Sequence, residues 1–130
     1  MVFWIDYVDN DPRRLTQAVL QITGLLGLYQ AELARVLRVN CGVIGQLASG
    51  RRCLEPGTVA CQQASQLVRL YQALYVQLDG NGVAMYHWLR VPQPMLGGVP
   101  HLLMVDDGRL DDVVRGLERM TGGRPGERQG

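Results

Sequence analysis

The sequence predicts an all-α protein, and three observations carry that expectation. Apolar residues recur at helical spacing in successive short segments. Each segment is bounded by recognisable helix caps and breakers, and no segment sustains the two-residue alternation of a strand, apart from an extended stretch at residues 2–8. At 130 residues with 47% hydrophobic and 19% charged residues, the chain has the length and composition of one ordinary domain or of two small helical units sharing a core.

The first helix is expected from about residue 12 to 26. Asp11 followed by Pro12 pairs an N-cap with a first-turn proline, and Leu15, Ala18, Val19, Ile22 and Leu26 then fall on one face. Tyr29 to Leu37 places Leu33, Ala34 and Leu37 together, and Cys41 to Ala48 turns Ile44 and Leu47 inward before Ser49 and Gly50 stop it. After Pro56 and Gly57 comes the broadest apolar stripe, with Val59, Ala64, Leu67, Val68, Leu70, Tyr71, Leu74, Tyr75 and Leu78. A stripe that wide exceeds one core-facing seam. It predicts either a central helix or a dimer interface, and Leu70, Tyr71, Leu74 and Tyr75 are the residues expected to dimerise.

Val83 to Arg90 reads as a short helix carrying Trp88, and Pro92, Pro94, Gly97, Gly98 and Pro100 then interrupt the chain. Leu102 and Leu103 offer at most one turn. Gly108 precedes a last amphipathic helix with Leu110, Val113, Val114, Leu117 and Met120 in a stripe, and residues 121–130 read as a tail. The expected division is residues 1–57, residues 58–120, and the tail 121–130.

Net charge is +1, and all 13 basic residues are arginine. The distribution says more than the total. Arg35, Arg38, Arg51 and Arg52 oppose Glu32 and Glu55 over residues 28–56, whereas residues 92–130 hold more acids than arginines. Cys41, Cys53 and Cys61 form an odd set whose spacing fits neither a disulfide framework nor a paired metal clamp, so reduced thiols in a cytoplasm are expected. His87 and His101 lie fourteen positions apart and match no helical ligand pair. The two serines, Ser49 and Ser65, sit in no nucleophile elbow, and no phosphate loop is present. These patterns argue against an enzyme, a metal site and a bound cofactor. The first residues, Met1 to Asp6, lack the basic flank and apolar length of a signal or spanning segment.

The run from Leu28 to Arg52 resembles the helix-turn-helix of Xre-family, lambda-repressor-like repressors. It has Gln30 at the start of the first helix, Glu32-Leu33-Ala34 in its middle, Asn40 as a polar cap, Ile44 and Leu47 facing inward, and a closing Gly50-Arg51. Small Ala34 lets two helices cross closely, and Ile44 and Leu47 anchor the second so that its outer face is free for a major groove. The resemblance implies Asn40, Cys41 and Gln46 at base-facing positions, with Gln30, Arg51 and Arg52 near phosphates. Gly42 and Gly45 stand where the family usually has long polar residues. Asn40 and Gln46 therefore retain the only reach to base edges. A plain αα-hairpin is the alternative.

A second run resembles the C-terminal toxin-binding domain of the Xre/MbcA/ParS antitoxins. It comprises Trp88-Leu89, Leu96-Gly97-Gly98, Pro100 before Leu102-Leu103, Gly108-Arg109 and the spaced Val113, Val114 and Leu117. Arg90-Val91 and His101 depart from the common pattern. The resemblance implies a homodimeric antitoxin that binds operator DNA and a RES-domain, NAD-degrading toxin. It assigns partner contact to Trp88, Leu96, Pro100, Leu102, Arg109, Arg119 and Arg124. A DNA-binding regulator without a toxin and an interaction module with a disabled helix-turn-helix are the alternatives.

Overall fold

A computed structural model of the chain describes residues 11–120. Among these residues the regular structure is helical. Helix α1 spans Pro12–Leu26, α2 Gln30–Leu37, α3 Cys41–Ala48, α4 Val59–Gln77, α5 Gly82–Arg90, α6 Pro100–Val105 and α7 Leu110–Met120, with one 3-10 turn at Pro94–Leu96. An isolated bridge between Gln93 and Gly98 closes the loop around that turn. The expected stretch at residues 2–8 and the tail 121–130 lie outside the described residues.

Local chemistry sets the boundaries. Asp11 Oδ1 accepts from the Arg13 amide at 3.0 Å, Asn40 Oδ1 from Val43, Thr58 Oγ1 from Cys61, and Asn81 Oδ1 from Ala84, so four helices begin on side-chain caps. Helix α1 ends at Gly27, whose φ of 74° lets the Leu28 amide reach back to the Thr23 carbonyl at 2.9 Å. Any Cβ at Gly27 would also lie 2.5 Å from the Tyr86 ring. Glycine is required there twice over, for conformation and for space. Arg90 then completes the end of α1. Its guanidinium donates to the carbonyls of Leu26 and Gly27 at 3.0 and 3.1 Å and lies over the Tyr86 ring.

Helix α4 is the centre of the molecule. It packs against α1, α2, α5 and α7, and its Ala64, Leu67, Val68, Leu70 and Leu74 are wholly buried. Each such leucine contributes about 1.5–3 kcal/mol of transfer free energy. Gln63 Nε2 is buried on the same helix and donates to the Val36 carbonyl of α2 at 3.0 Å, which satisfies a polar group that would otherwise oppose burial. Along the junction with α7, Arg69 grips Glu118 through Nε and a terminal nitrogen at 2.7–3.1 Å, and Gln66 donates to Asp111 at 3.0 Å. One contiguous hydrophobic core runs from Leu15 to Leu117. The boundary expected at residue 57 falls on an exposed turn, and the core is shared across it.

The dimerisation expectation at Leu70, Tyr71 and Leu74 is corrected by this burial. Leu70 and Leu74 are 0% exposed and Tyr71 is 6% exposed, because α4 is covered by helices of its own chain. Tyr75 is half-buried, its ring tilted against Tyr71 at 6.1 Å and against the Gly80 backbone. The sequence stripe was wide because the helix is enclosed on several sides, which periodicity alone does not distinguish from a subunit interface.

Two outcomes follow from this packing. Leu74→Ala should cost about 2–5 kcal/mol of stability by leaving a cavity. The loss, read by urea unfolding, should not vary with protein concentration, and a loss that disappears at high concentration would place Leu74 in a subunit contact. Burial, reinforced by Tyr75, pushes the Tyr71 phenol above its ordinary value. The unfolded chain releases that proton near about pH 10 while the folded chain retains it, so stability is complete below that pH and falls as pH rises through the folded value. Tyr71→Phe should flatten the alkaline end of the stability curve, and an unchanged alkaline slope would contradict the assignment.

Candidate nucleic-acid interface

Helices α2 and α3 are joined by Arg38, Val39 and Asn40. Arg38 takes a left-handed conformation with φ 62°, and the Val39 amide returns to the Ala34 carbonyl at 2.9 Å, which stops α2 sharply. Leu33, Ala34, Leu37, Ile44 and Leu47 are buried, as the inward pattern predicts, and Val36 is buried as well. Gln30, Asn40, Cys41, Gln46, Arg51 and Arg52 are all exposed. Their common trait is solvent access along the start of α2, the outer side of α3, and the segment just after it.

The side-chain oxygens of Asn40 and Gln46 on this surface already have partners within the chain. Asn40 Oδ1 is held by the Val43 amide at 3.0 Å, and Gln46 Oε1 accepts from Arg52 at 3.0 Å. Bidentate pairing with an adenine edge needs the carbonyl oxygen as well as the amide nitrogen of such a side chain. Each oxygen has a second lone pair, so Asn40 and Gln46 would have to share theirs between the internal donor and the base. Gly42 and Gly45 are exposed, and a Cβ on Gly45 would meet nothing within 4 Å. At Gly45 the outer side of α3 is bare without any crowding, whereas a Cβ on Gly42 would lie 3.2 Å from the capping Oδ1 of Asn40.

The arginine excess of the segment is also smaller than the sequence implies. Arg35 pairs with Asp106 at 2.7 Å, and Arg38 donates to the Gly108 carbonyl at 3.4 Å. Arg51 and Arg52 follow directly on a tight stop to α3, where the amides of Gly50 and Arg51 bond back to Leu47 and Gln46. Of the four arginines only Arg35 is offset by a carboxylate; Arg38 and Arg52 each donate to a neutral oxygen and keep their charge. A sequence separation of 71 residues hid the pairing of Arg35 with Asp106 from any local reading of charge.

The same contacts tie the helix pair to the C-terminal helices. His101 Nε2 on α6 lies 2.8 Å from Glu32 Oε2, and the other oxygen of Glu32 accepts from the Tyr29 amide that begins α2. His101 and Arg90, the two departures from the antitoxin pattern, thus have internal contacts in this chain.

Of the expected partner-binding residues, Leu102 is 49% exposed on α6, and Arg109 and Arg119 are exposed on and before α7. Trp88 and Leu96 are half-buried. Leu96 packs against the backbone of Gly116, where a Cβ would lie 2.4 Å from it, so much of its surface is spent within the chain. Pro100 is buried, and this corrects its assignment as a contact: it opens α6 at a position that needs no amide donor. Arg109 pairs with Asp112 at 2.8 Å, and Asp112 is also held by Arg115. The hydrogen bond from Arg109, with the charge of both arginines, keeps the Asp112 carboxyl below its ordinary range. Arg124 lies outside the described residues. Met95, which the sequence did not single out, is exposed on the 3-10 turn that carries Leu96.

Among the described residues no three His, Cys, Asp or Glu side chains are placed to hold a metal ion, and no helix is long and apolar enough to cross a membrane. Comparison with protein-family models and with curated proteins returns no match to this chain.

Proposed function

We propose that the chain is an antitoxin that binds operator DNA through α2, α3 and the segment after them, and binds a RES-type toxin through the surface around α6 and α7. The observation that carries the nucleic-acid half is the division of the α2–α3 pair: every expected anchor is buried and every expected contact residue is exposed. Such a division leaves one face of α3 available for a groove. The toxin half rests on the motif order and on exposed Leu102 and Met95 beside the exposed arginines of α7.

A second reading, an interaction module that no longer reads DNA, is favoured by the engagement of Asn40 and Gln46 and by the loss of Arg35 to Asp106. Phosphate contact dominates in the first reading and is absent in the second. Replacing Arg51 and Arg52 together with alanine should weaken binding to every sequence and lower the salt slope by about one unit per lost contact. Gln46→Ala should relax preference at one base pair, at about 1–3 kcal/mol. Gel retardation of a fragment spanning the chain's own promoter reads both, and no retardation at low salt would select the interaction module.

For the partner, Leu102→Asp should abolish co-purification with a toxin encoded beside this chain and leave the circular dichroism unchanged. Retention of the complex by that variant would remove α6 from the contact.

A further inference from the structure

The cleft between α1 and α3 is lined by two cations and no acid. It measures about 270 Å³, and its charged lining is Arg13 from α1 and Arg52 from the segment after α3. Gln17 and Gly50 add to its polar rim, and Leu20 and Leu47 supply an apolar part. Arg13, Gln17, Gly50 and Arg52 are all exposed, so the rim faces water, whereas Leu47 is buried. The adjoining cleft of about 240 Å³, toward the start of α4, is lined by Glu55 as well as by Arg52 and lacks this one-signed character.

A buried tether holds the two arginines near each other. The Leu54 amide donates to Thr16 Oγ1 at 3.0 Å, and the same hydroxyl donates to the Pro12 carbonyl at 2.7 Å. The chain after α3 is thereby fastened to the start of α1, close in sequence to Arg52 on one side and to Arg13 on the other. Thr16 has spent its one donor, so recognition is left to the guanidinium groups and Gln17. Arg52 gives Nη1 to Gln46 Oε1 at 3.0 Å and keeps its other donors. The Arg13 side chain has no hydrogen bond or ion pair among the described residues. Two like charges around one cleft repel, and an anion between them reverses the sign of that interaction.

We propose that this cleft seats one phosphate group of a nucleic-acid backbone, held by Arg13 from α1 and by Arg52 from the segment after α3, with Gln17 as a further donor. Guanidinium forks match phosphate oxygens, and the apolar part formed by Leu20 and Leu47 suits the carbons of an adjoining sugar. A backbone is favoured over a free phosphate because Arg52 also bonds Gln46, which joins the cleft to the outer side of α3. That choice of source rests on the nucleic-acid reading, while the phosphate seat does not. The footprint thus extends from the α2–α3 pair to α1, a helix that the sequence pattern assigns to the core alone.

Fluorescence anisotropy of the full chain with two short duplexes, one carrying its promoter sequence and one unrelated, tests the seat. Arg13→Gln should weaken both by roughly three- to tenfold near 0.1 M salt and lower the salt slope by about one unit. Arg14→Gln removes the same charge from the next residue of α1, which pairs with Asp11 at 3.4 Å and does not line the cleft. It should leave affinity within about twofold of the unaltered chain. In a chain that binds DNA, no effect of Arg13→Gln, or equal effects of the two substitutions, overturns the seat. Titration of the nitrogen-15-labelled chain with inorganic phosphate, replacing chloride at constant ionic strength, separates the two sources. The Nε resonances of Arg13 and Arg52 should move together, and Arg13→Gln should abolish the movement at Arg52. If the chain binds neither duplex but these resonances move, the nucleic-acid reading falls and the seat belongs to a free phosphate. If it binds neither duplex and they stay fixed, the seat is overturned as well.

Discussion

Helix α4 must bury apolar side chains on more than one side, and that requirement places α1, α2, α5 and α7 around it. A helix carrying Ala64, Leu67, Val68, Leu70, Tyr71 and Leu74 around its circumference is unstable next to water on any broad face. Helices α1 and α2 cover one side, and α5 and α7 cover the rest. The first three helices and the last three therefore do not hold separate cores. Each half lacks the surface needed to satisfy α4 without the other.

Polar contacts then fix how the halves meet. Apolar packing is non-directional, so it sets proximity more than register. Direction comes from Gln63 on the Val36 carbonyl, Arg69 on Glu118, Arg90 on the end of α1, and Arg35 on Asp106. Exposed pairs such as Arg35 and Asp106 add little stability on their own, about 0–1 kcal/mol. Their consequence for function is larger than their energy. The Arg35–Asp106 pair offsets one cation of the α2–α3 face and joins that face to the loop between α6 and α7, so one core carries both proposed surfaces.

The helices were legible in the sequence because their signals are local. Asp11-Pro12, Asn40, Ser49-Gly50 and Asn81 each declare a boundary through capping chemistry within four residues, and α1 and α3 begin and end where those residues predict. The inward set of the α2–α3 pair was legible for the same reason. What escaped depends on contacts across tens of residues. No periodicity tells an enclosed helix from an interfacial one, so Leu70, Tyr71 and Leu74 were expected at a subunit contact. No count of local charge reveals that Arg35 is spent on Asp106, nor that the buried Pro100 serves to start α6. The engagement of Asn40 as a cap was implied by its position, yet its cost to base recognition appears only when the Val43 amide is seen on Oδ1.

Native-state hydrogen exchange tests the central claim, that one core shared through α4 holds both halves. Amides of Val19 and Ile22 in α1, Leu37 in α2, Leu70 in α4, and Val114 and Leu117 in α7 should all exchange with one free energy, equal to that of global unfolding by urea. Two distinct plateaus, one for α1 to α3 and another for α7, would show that the halves unfold independently and would contradict the account.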